Sequence, residues 1–343
     1  MKLQIKNKMI GLIITGSILA LSSCSNPEEI KAEVLEGEPI SYEYQLEEYE
    51  VSENSIQEME SLKNNESEVQ EIEPPTIDEE SIEANTISVN TIVASQNVNV
   101  RSLNTVESDR LGLLVEGRNL TLLSDEDPKW YQVDYYGQVG YVLKDYAYPS
   151  TRLEPIYPII YKGYINENTS LYNDKELTDV SSELPFQEFA EVYKELDNSL
   201  LIRTIDGFGY IDKTKLEKVE GNIAVVDISN QELRLYQDDS LVMITPVVTG
   251  TYQNASRESD KGLYEIFKER HDLWITESAY VNNMLNYNRG EGLHDAHRWR
   301  QPYEFGGCTY LTNGSHGCIN MPLDAANYAS EVLDVGDKVL VKQ

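Results

Sequence analysis

From Asn97 onward the chain runs in short stretches that alternate apolar and polar residues, each closed by a turn pair. A period of two bounded by turn chemistry restricts such a chain to β structure. Asn97-Val98-Asn99-Val100-Arg101-Ser102 alternates residue by residue, and strand-like runs follow at 111–115, 119–123, 130–135 and 138–143. Glu116-Gly117, Asp127-Pro128 and Tyr136-Gly137 separate them, and strands this short at this spacing predict a small barrel. Residues 150–220 repeat the pattern in diverged form: "SLYNDKEL" stands for "NVRSLNTV", and "LLIRTIDGFGYIDKTKLEK" for "WYQVDYYGQVGYVLKDY". From Ile223 to Val248 the pattern reads as a β meander whose first strand is buried. One helical stripe stands out, Leu323, Ala326, Ala329 and Leu333. Asn320 is its expected cap, Pro322 suits its first turn and Gly336 lies just beyond.

The N-terminal quarter follows other rules. Ser25 to Asn90 holds 20 acids against two bases, Lys31 and Lys63, with few aromatics. Such a segment cannot bury enough apolar surface to fold, and it reads as a disordered tether that reaches roughly 45 Å as a flexible coil. Ahead of it, Lys2, Lys6 and Lys8 precede an apolar run from Met9 to Leu21. That run is too short to span a bilayer and has the form of a secretory signal. Its end, Leu21-Ser22-Ser23-Cys24, resembles a bacterial lipoprotein signal, which implies a lipid on the Cys24 thiol and a chain held on the outer face of the membrane. A plain secreted protein with an incidental cysteine is the alternative.

The net charge of −31 argues against nucleic-acid binding and against electrostatic docking on anionic lipid. Three cysteines do not make a disulfide scaffold. The 23 tyrosines against 5 phenylalanines suit half-exposed β surfaces, with wall or glycan contact as the sharper reading.

Chemistry concentrates in Ser315-His316-Gly317-Cys318-Ile319-Asn320. Cys318 is expected just ahead of the helix, whose dipole would favour a thiolate. Gly317 allows a close backbone approach, and the N–H groups of Gly317 and Cys318 are candidates to face an oxyanion. A nucleophilic cysteine needs a base. The four histidines, His271, His294, His297 and His316, all precede Cys318, an order opposite to that of papain-like enzymes. His271 reads as a surface residue and the Trp274 region as core. His294, His297, Cys308, His316 and Cys318 include zinc-ligand types, but the pair lacks the helical spacing and adjacent Glu of the common metallopeptidase motif. No metal, nucleotide or organic cofactor is expected.

Two resemblances follow from these residues. The run "NVNVRS … LGLLVEGRNLTLL … KWYQVDYYGQVGYVLKDY" resembles a bacterial SH3-type domain, which implies wall contact, with a spacer role as the alternative. "TPVVTG" at 245–250, "KGLYEI" at 261–266, "GLHDA" at 292–296, "EFGG" at 304–307 and "SHGCIN" at 315–320 together resemble the L,D-transpeptidase catalytic domain family of YkuD type. This second resemblance implies Cys318 as nucleophile and peptidoglycan stem peptides as donor and acceptor. The terminal D-Ala is lost, a thioester forms, and a side-chain amine takes the acyl group in a 3→3 cross-link. Water as acceptor would make the enzyme an L,D-carboxypeptidase, and a non-catalytic wall-binding lipoprotein is a further alternative. The family spacing fits His297, which leaves 17 residues before Ser315, whereas His294 leaves 20. The local run Gly292-Leu293-His294-Asp295-Ala296, with Trp299 beyond, matches the family's base instead, so His294 is favoured and His297 kept as alternative. The carbonyl of Asp295 would orient the imidazole, while Ser315, His316, Asn320 and Trp299 match positions near the donor. Ser259-Asp260-Lys261-Gly262 departs from the family's usual Thr-Pro-x-Gly and is read as remote from the cysteine. Cys308 is either a thiol without a role or a partner that would switch Cys318 off as a disulfide.

The expected architecture is mainly β. A signal at 1–23, a tether at 24–90, SH3-like barrels at 91–148 and 149–221, and a β-rich catalytic domain at 222–343 with a short helix after Cys318 make up the plan.

Overall fold

The structure, a computed structural model, describes residues 85–343 except 206, 252 and 253. The signal, Cys24 and residues 25–84 of the tether lie outside the described residues.

Strands make up most of the described chain. The first module comprises β1 (Thr86–Ala94), β2 (Val98–Arg101), β3 (Arg110–Leu114), β4 (Asn119–Ser124), β5 (Trp130–Tyr135), β6 (Gln138–Leu143) and β7 (Ala147–Pro155), in the order β3-β2-β6-β5-β4-β1-β7. The module is longer at both ends than its turn signals suggested. β1 begins inside the segment read as tether and pairs along its whole length with β7, from Thr86↔Pro155 to Ala94↔Ala147. Backbone pairing, rather than an apolar pattern, orders that edge, so composition did not reveal it. Inside, Ile92, Val100, Val133 and Val142 are fully buried, as the alternation demands.

The second module comprises β8 (Tyr161–Ile165), β9 (Thr169–Tyr172), β10 (Val180–Leu184), β11 (Phe189–Glu195), β12 (Ser199–Arg203), β13 (Phe208–Asp212) and β14 (Leu216–Val219). Its order, β10-β9-β13-β12-β11-β8-β14, repeats the first module element for element.

The C-terminal region has two sheets. One runs β17 (Ser240–Pro246), β16 (Glu232–Gln237), β15 (Ile223–Asp227), β23 (Lys338–Lys342), β18 (Gly262–Glu265). β15 is buried at every position because antiparallel β16 and parallel β23 flank it. The second sheet runs β19 (Lys268–Trp274), β20 (Tyr280–Asn288), β21 (Glu291–Asp295), β22 (Ile319–Met321). Two helices join them, α1 (Thr309–Asn313) and α2 (Leu323–Val332). Ala325, Ala326, Ala329 and Val332 of α2 pack with Leu285, Leu293 and Ile319 in one core. The expected cap differs: Pro322, not Asn320, is the N-cap, without a side-chain bond. Asn320 is taken up by β22. Trp274, expected in the core, is 65% exposed, because β19 is an edge strand.

The second module is fused to the C-terminal region by a shared core of Phe189, Val219, Ile223, Val225, Tyr236 and Leu340. Lys342 bridges Glu188 at 2.9 Å and Asp227 at 3.6 Å within it, and Tyr236 donates to Glu191 at 2.7 Å. The first module reaches the loop after β21, where Arg110 lies over the Tyr303 ring at 4.9 Å.

Candidate active site

The cysteine loop is placed by the segment Val247–Gly250. Val248 and Asn320 exchange backbone bonds at 2.9 Å, and Ser315 donates to the Thr249 carbonyl at 2.9 Å. Gly250 fits because a Cβ there would sit 2.2 Å from the Arg257 carbonyl. Its N–H donates to Ser259 Oγ at 2.9 Å, and that hydroxyl donates to the Gly317 carbonyl at 2.7 Å. Ser259 is therefore not remote from the cysteine motif, as its departure from the family pattern suggested, but one hydrogen bond from it. Sequence distance concealed a contact made between two loops.

β21 is central, paired antiparallel with β20 (Met284↔His294) and parallel with β22 (His294↔Asn320). Strand alternation puts Met284, His294 and Asn320 on one face while Leu293 and Ile319 enter the core. Cys318, one residue before Ile319, shares the His294 face. The structure thus brings Cys318, His294 and Asn320 together from segments over twenty residues apart.

His294 is 2% exposed, and its Nδ1 lies 2.8 Å from the Asp295 carbonyl. A carbonyl only accepts, so Nδ1 carries the proton and Nε2 is the acceptor. Asn320 Nδ2 faces Nε2 at 3.2 Å. The Asn320 oxygen accepts from Arg300 Nε at 2.8 Å, which fixes which way the amide points. Burial lowers the His294 pKa, so the imidazole is neutral at rest. Trp299, 39% exposed, stands over it with ring centroids 6.0 Å apart. Arg300 lies between Trp299 and the 304–307 run, outside every motif the sequence offered.

His297 is differently employed. Its Nδ1 contacts Asp295 Oδ2 at 2.9 Å, and the other Asp295 oxygen accepts the Asn282 and Asn283 amides at 2.7 and 3.0 Å. The Asp295 carboxylate is wholly buried and joins β20, β21 and the following loop.

Cys318 departs from expectation in two respects. β22 separates it from α2, so no helix dipole reaches it. Burial, with Glu291 nearby, pushes its thiol up to about 11, against a smaller contribution from a Gly292 backbone hydrogen bond. The resting group is therefore a thiol, with Sγ 3.6 Å from the Gly290 carbonyl. The Gly317 N–H, a candidate oxyanion donor, instead donates to Ser315 Oγ at 3.1 Å, and that hydroxyl donates to the Cys318 carbonyl. Ser315 shapes the loop, and His316 at its tip is exposed. Cys318 is a free cysteine and is not bonded to Cys308, which stands at the N-cap position of α1 without a side-chain cap bond. Among the described residues no group of three His, Cys, Asp or Glu side chains gathers as a metal site.

A thiol and a buried neutral imidazole on one sheet face are the two groups that nucleophilic catalysis by a cysteine requires. Residues 221–341 match the family described as the L,D-transpeptidase catalytic domain, and residues 96–147 match the bacterial SH3 domain. The chain therefore carries an L,D-transpeptidase catalytic domain behind a bacterial SH3 domain. Among solved structures, an L,D-transpeptidase from Stackebrandtia nassauensis is 28% identical over 36% of this chain and 56% of its own, with a TM-score of 0.29. The match thus spans little more than half of that chain. The catalytic domain of an Enterococcus faecium L,D-transpeptidase is 25% identical over 36% of this chain and 98% of its own, with a TM-score of 0.32. The C442S mutant of an Enterococcus faecium L,D-transpeptidase is 19% identical over 52% and 76%, with a TM-score of 0.34. No curated protein matches the chain.

Proposed function

We propose that the protein is a peptidoglycan L,D-transpeptidase that forms 3→3 cross-links through a thioester on Cys318. The observation that carries this reading is the pairing of β21 with β22, which sets the Cys318 thiol and the His294 imidazole on one face, with Nδ1 tied to the Asp295 carbonyl. In the reaction Sγ attacks the carbonyl of the third residue of a tetrapeptide stem, and His294 Nε2 takes the thiol proton. The C–N bond breaks, the D-Ala amine leaves with that proton, and the acyl group remains on sulfur. The Cys318 N–H faces the oxyanion, since the Gly317 N–H is occupied. Asn320 and Arg300 keep Nε2 in its accepting form, Trp299 and His316 line the donor side, and Ser315 holds the loop. The side-chain amine of a second stem then takes the acyl group.

The repeated strand order of residues 161–219 supports a second SH3-like module. The two modules would bind the wall, and Cys24 would carry the lipid that holds the protein on the outer face of the membrane.

Incubation with a disaccharide-tetrapeptide, read by mass spectrometry beside Cys318→Ala, tests the proposal. A dimer lacking one D-Ala, absent with the variant, is expected. Tripeptide alone would make the protein an L,D-carboxypeptidase. No reaction under reducing conditions would favour a non-catalytic wall-binding lipoprotein.

A further inference from the structure

Two carboxylates flank the cysteine loop without a basic partner among the described residues. Glu291 opens β21, and its Oε1 accepts the Asp260 N–H at 3.2 Å. The Asn288 amide bridges the two side chains, 3.0 Å from Asp260 Oδ2 and 3.4 Å from Glu291 Oε2. A Cβ on Gly317 would lie 2.6 Å from Glu291 Oε1, so the carboxylate packs against the residue that precedes the nucleophile. Glycine suits that position because its φ of +116° would strain any other residue. Nearby cations are turned elsewhere: Lys261 donates to Gln343 at 3.1 Å and Arg270 to Asn286 at 3.0 Å. Tyr287, only 3% exposed, stands behind the pair, directed at Glu291 and near Cys318, and its hydroxyl makes no well-formed hydrogen bond.

Unneutralised carboxylates beside a nucleophilic thiol oppose its ionisation, and Glu291 does raise the Cys318 pKa. They help the reaction only once a cation arrives. The second substrate in the transpeptidase reading is an amine, cationic at neutral pH.

We propose that Glu291, Asp260, Asn288 and Tyr287 form the subsite for the acceptor's ammonium group, and that Glu291 takes its proton before it attacks the Cys318 thioester. This rests on the transpeptidase reading above. The ammonium gives one proton to the Glu291 carboxylate, and its nitrogen bonds to the thioester carbonyl carbon. The C–S bond breaks with its electron pair on Sγ, and the second amine proton passes to Sγ through His294. An amide and a thiol result, and the Glu291 carboxylic acid returns its proton to solvent.

The test compares two nucleophiles competing for the same acyl-enzyme. The acceptor stem brings an ammonium, whereas hydroxylamine is already neutral at pH 7.5 and needs no carboxylate. Glu291→Gln is expected to lower the ratio of cross-linked dimer to hydroxamate at least tenfold and to raise the KM for the acceptor, with a smaller shift for Asp260→Asn. A ratio unchanged in both variants, or dimer and hydroxamate falling together, would overturn the subsite. Wild-type protein that releases no D-Ala from the donor would overturn the transpeptidase reading beneath it, and the subsite with it.

Discussion

The ionisation of Cys318 in the free protein gives the sharpest prediction. Burial raises the thiol from an ordinary value of 9.0 to about 11. Two units remove about 100-fold of the thiolate at pH 7.5, while a more basic thiolate is intrinsically more nucleophilic by about eightfold at a Brønsted slope of ~0.45. Iodoacetamide should therefore alkylate Cys318 about tenfold more slowly than an unperturbed cysteine at that pH. The rate should climb tenfold per pH unit from pH 6 to pH 10 without a plateau. Peptide-resolved mass spectrometry of timed quenches separates Cys318 from Cys24 and Cys308. A plateau with its midpoint below pH 8 would refute the reasoning, because it would mean that a thiolate–imidazolium pair exists at rest. The same profile should move to lower pH in Glu291→Gln, which removes a negative charge beside the sulfur.

Three further outcomes follow from the geometry. His294→Ala should lower D-Ala release by about 10²–10⁴-fold, whereas His297→Ala, whose ring only contacts Asp295 Oδ2, should keep turnover; kinetics showing the reverse would exchange their roles. Asp295→Ala should destabilise the fold by about 1–3 kcal/mol, since it leaves the half-buried Asn282 and Asn283 amides without their acceptor; an unchanged urea midpoint would count against this. Ser259→Ala should lower turnover about tenfold by releasing the Gly317 carbonyl, a loss of about one net hydrogen bond, and Ser259→Thr should restore it in the same D-Ala assay.

Local pattern carried a long way in this chain. The alternation at 97–102 became β2, and the apolar stripe after Pro322 became α2 to within a residue. The cysteine hexapeptide and the Gly292–Ala296 run were legible because their chemistry is written in adjacent residues. The expected Asn320 cap and the helix-dipole thiolate failed for one reason. A helix start and a three-residue parallel strand look alike until their partner is known, and β21 lies over twenty residues away in sequence. Parallel pairing then moved Asn320 onto the imidazole and left Cys318 without a helix. Glu291 carried no motif, and its meaning came only from lying against Gly317.

The sequence by itself determined the β class and set out the cysteine and the histidines available for chemistry, because strand period and residue chemistry are local properties. Tertiary structure alone decided the protonation of the site. A pKa depends on how many atoms displace water from a group and on which charges face it. For Cys318, His294 and Glu291 those neighbours come from strands that meet only when the sheet closes.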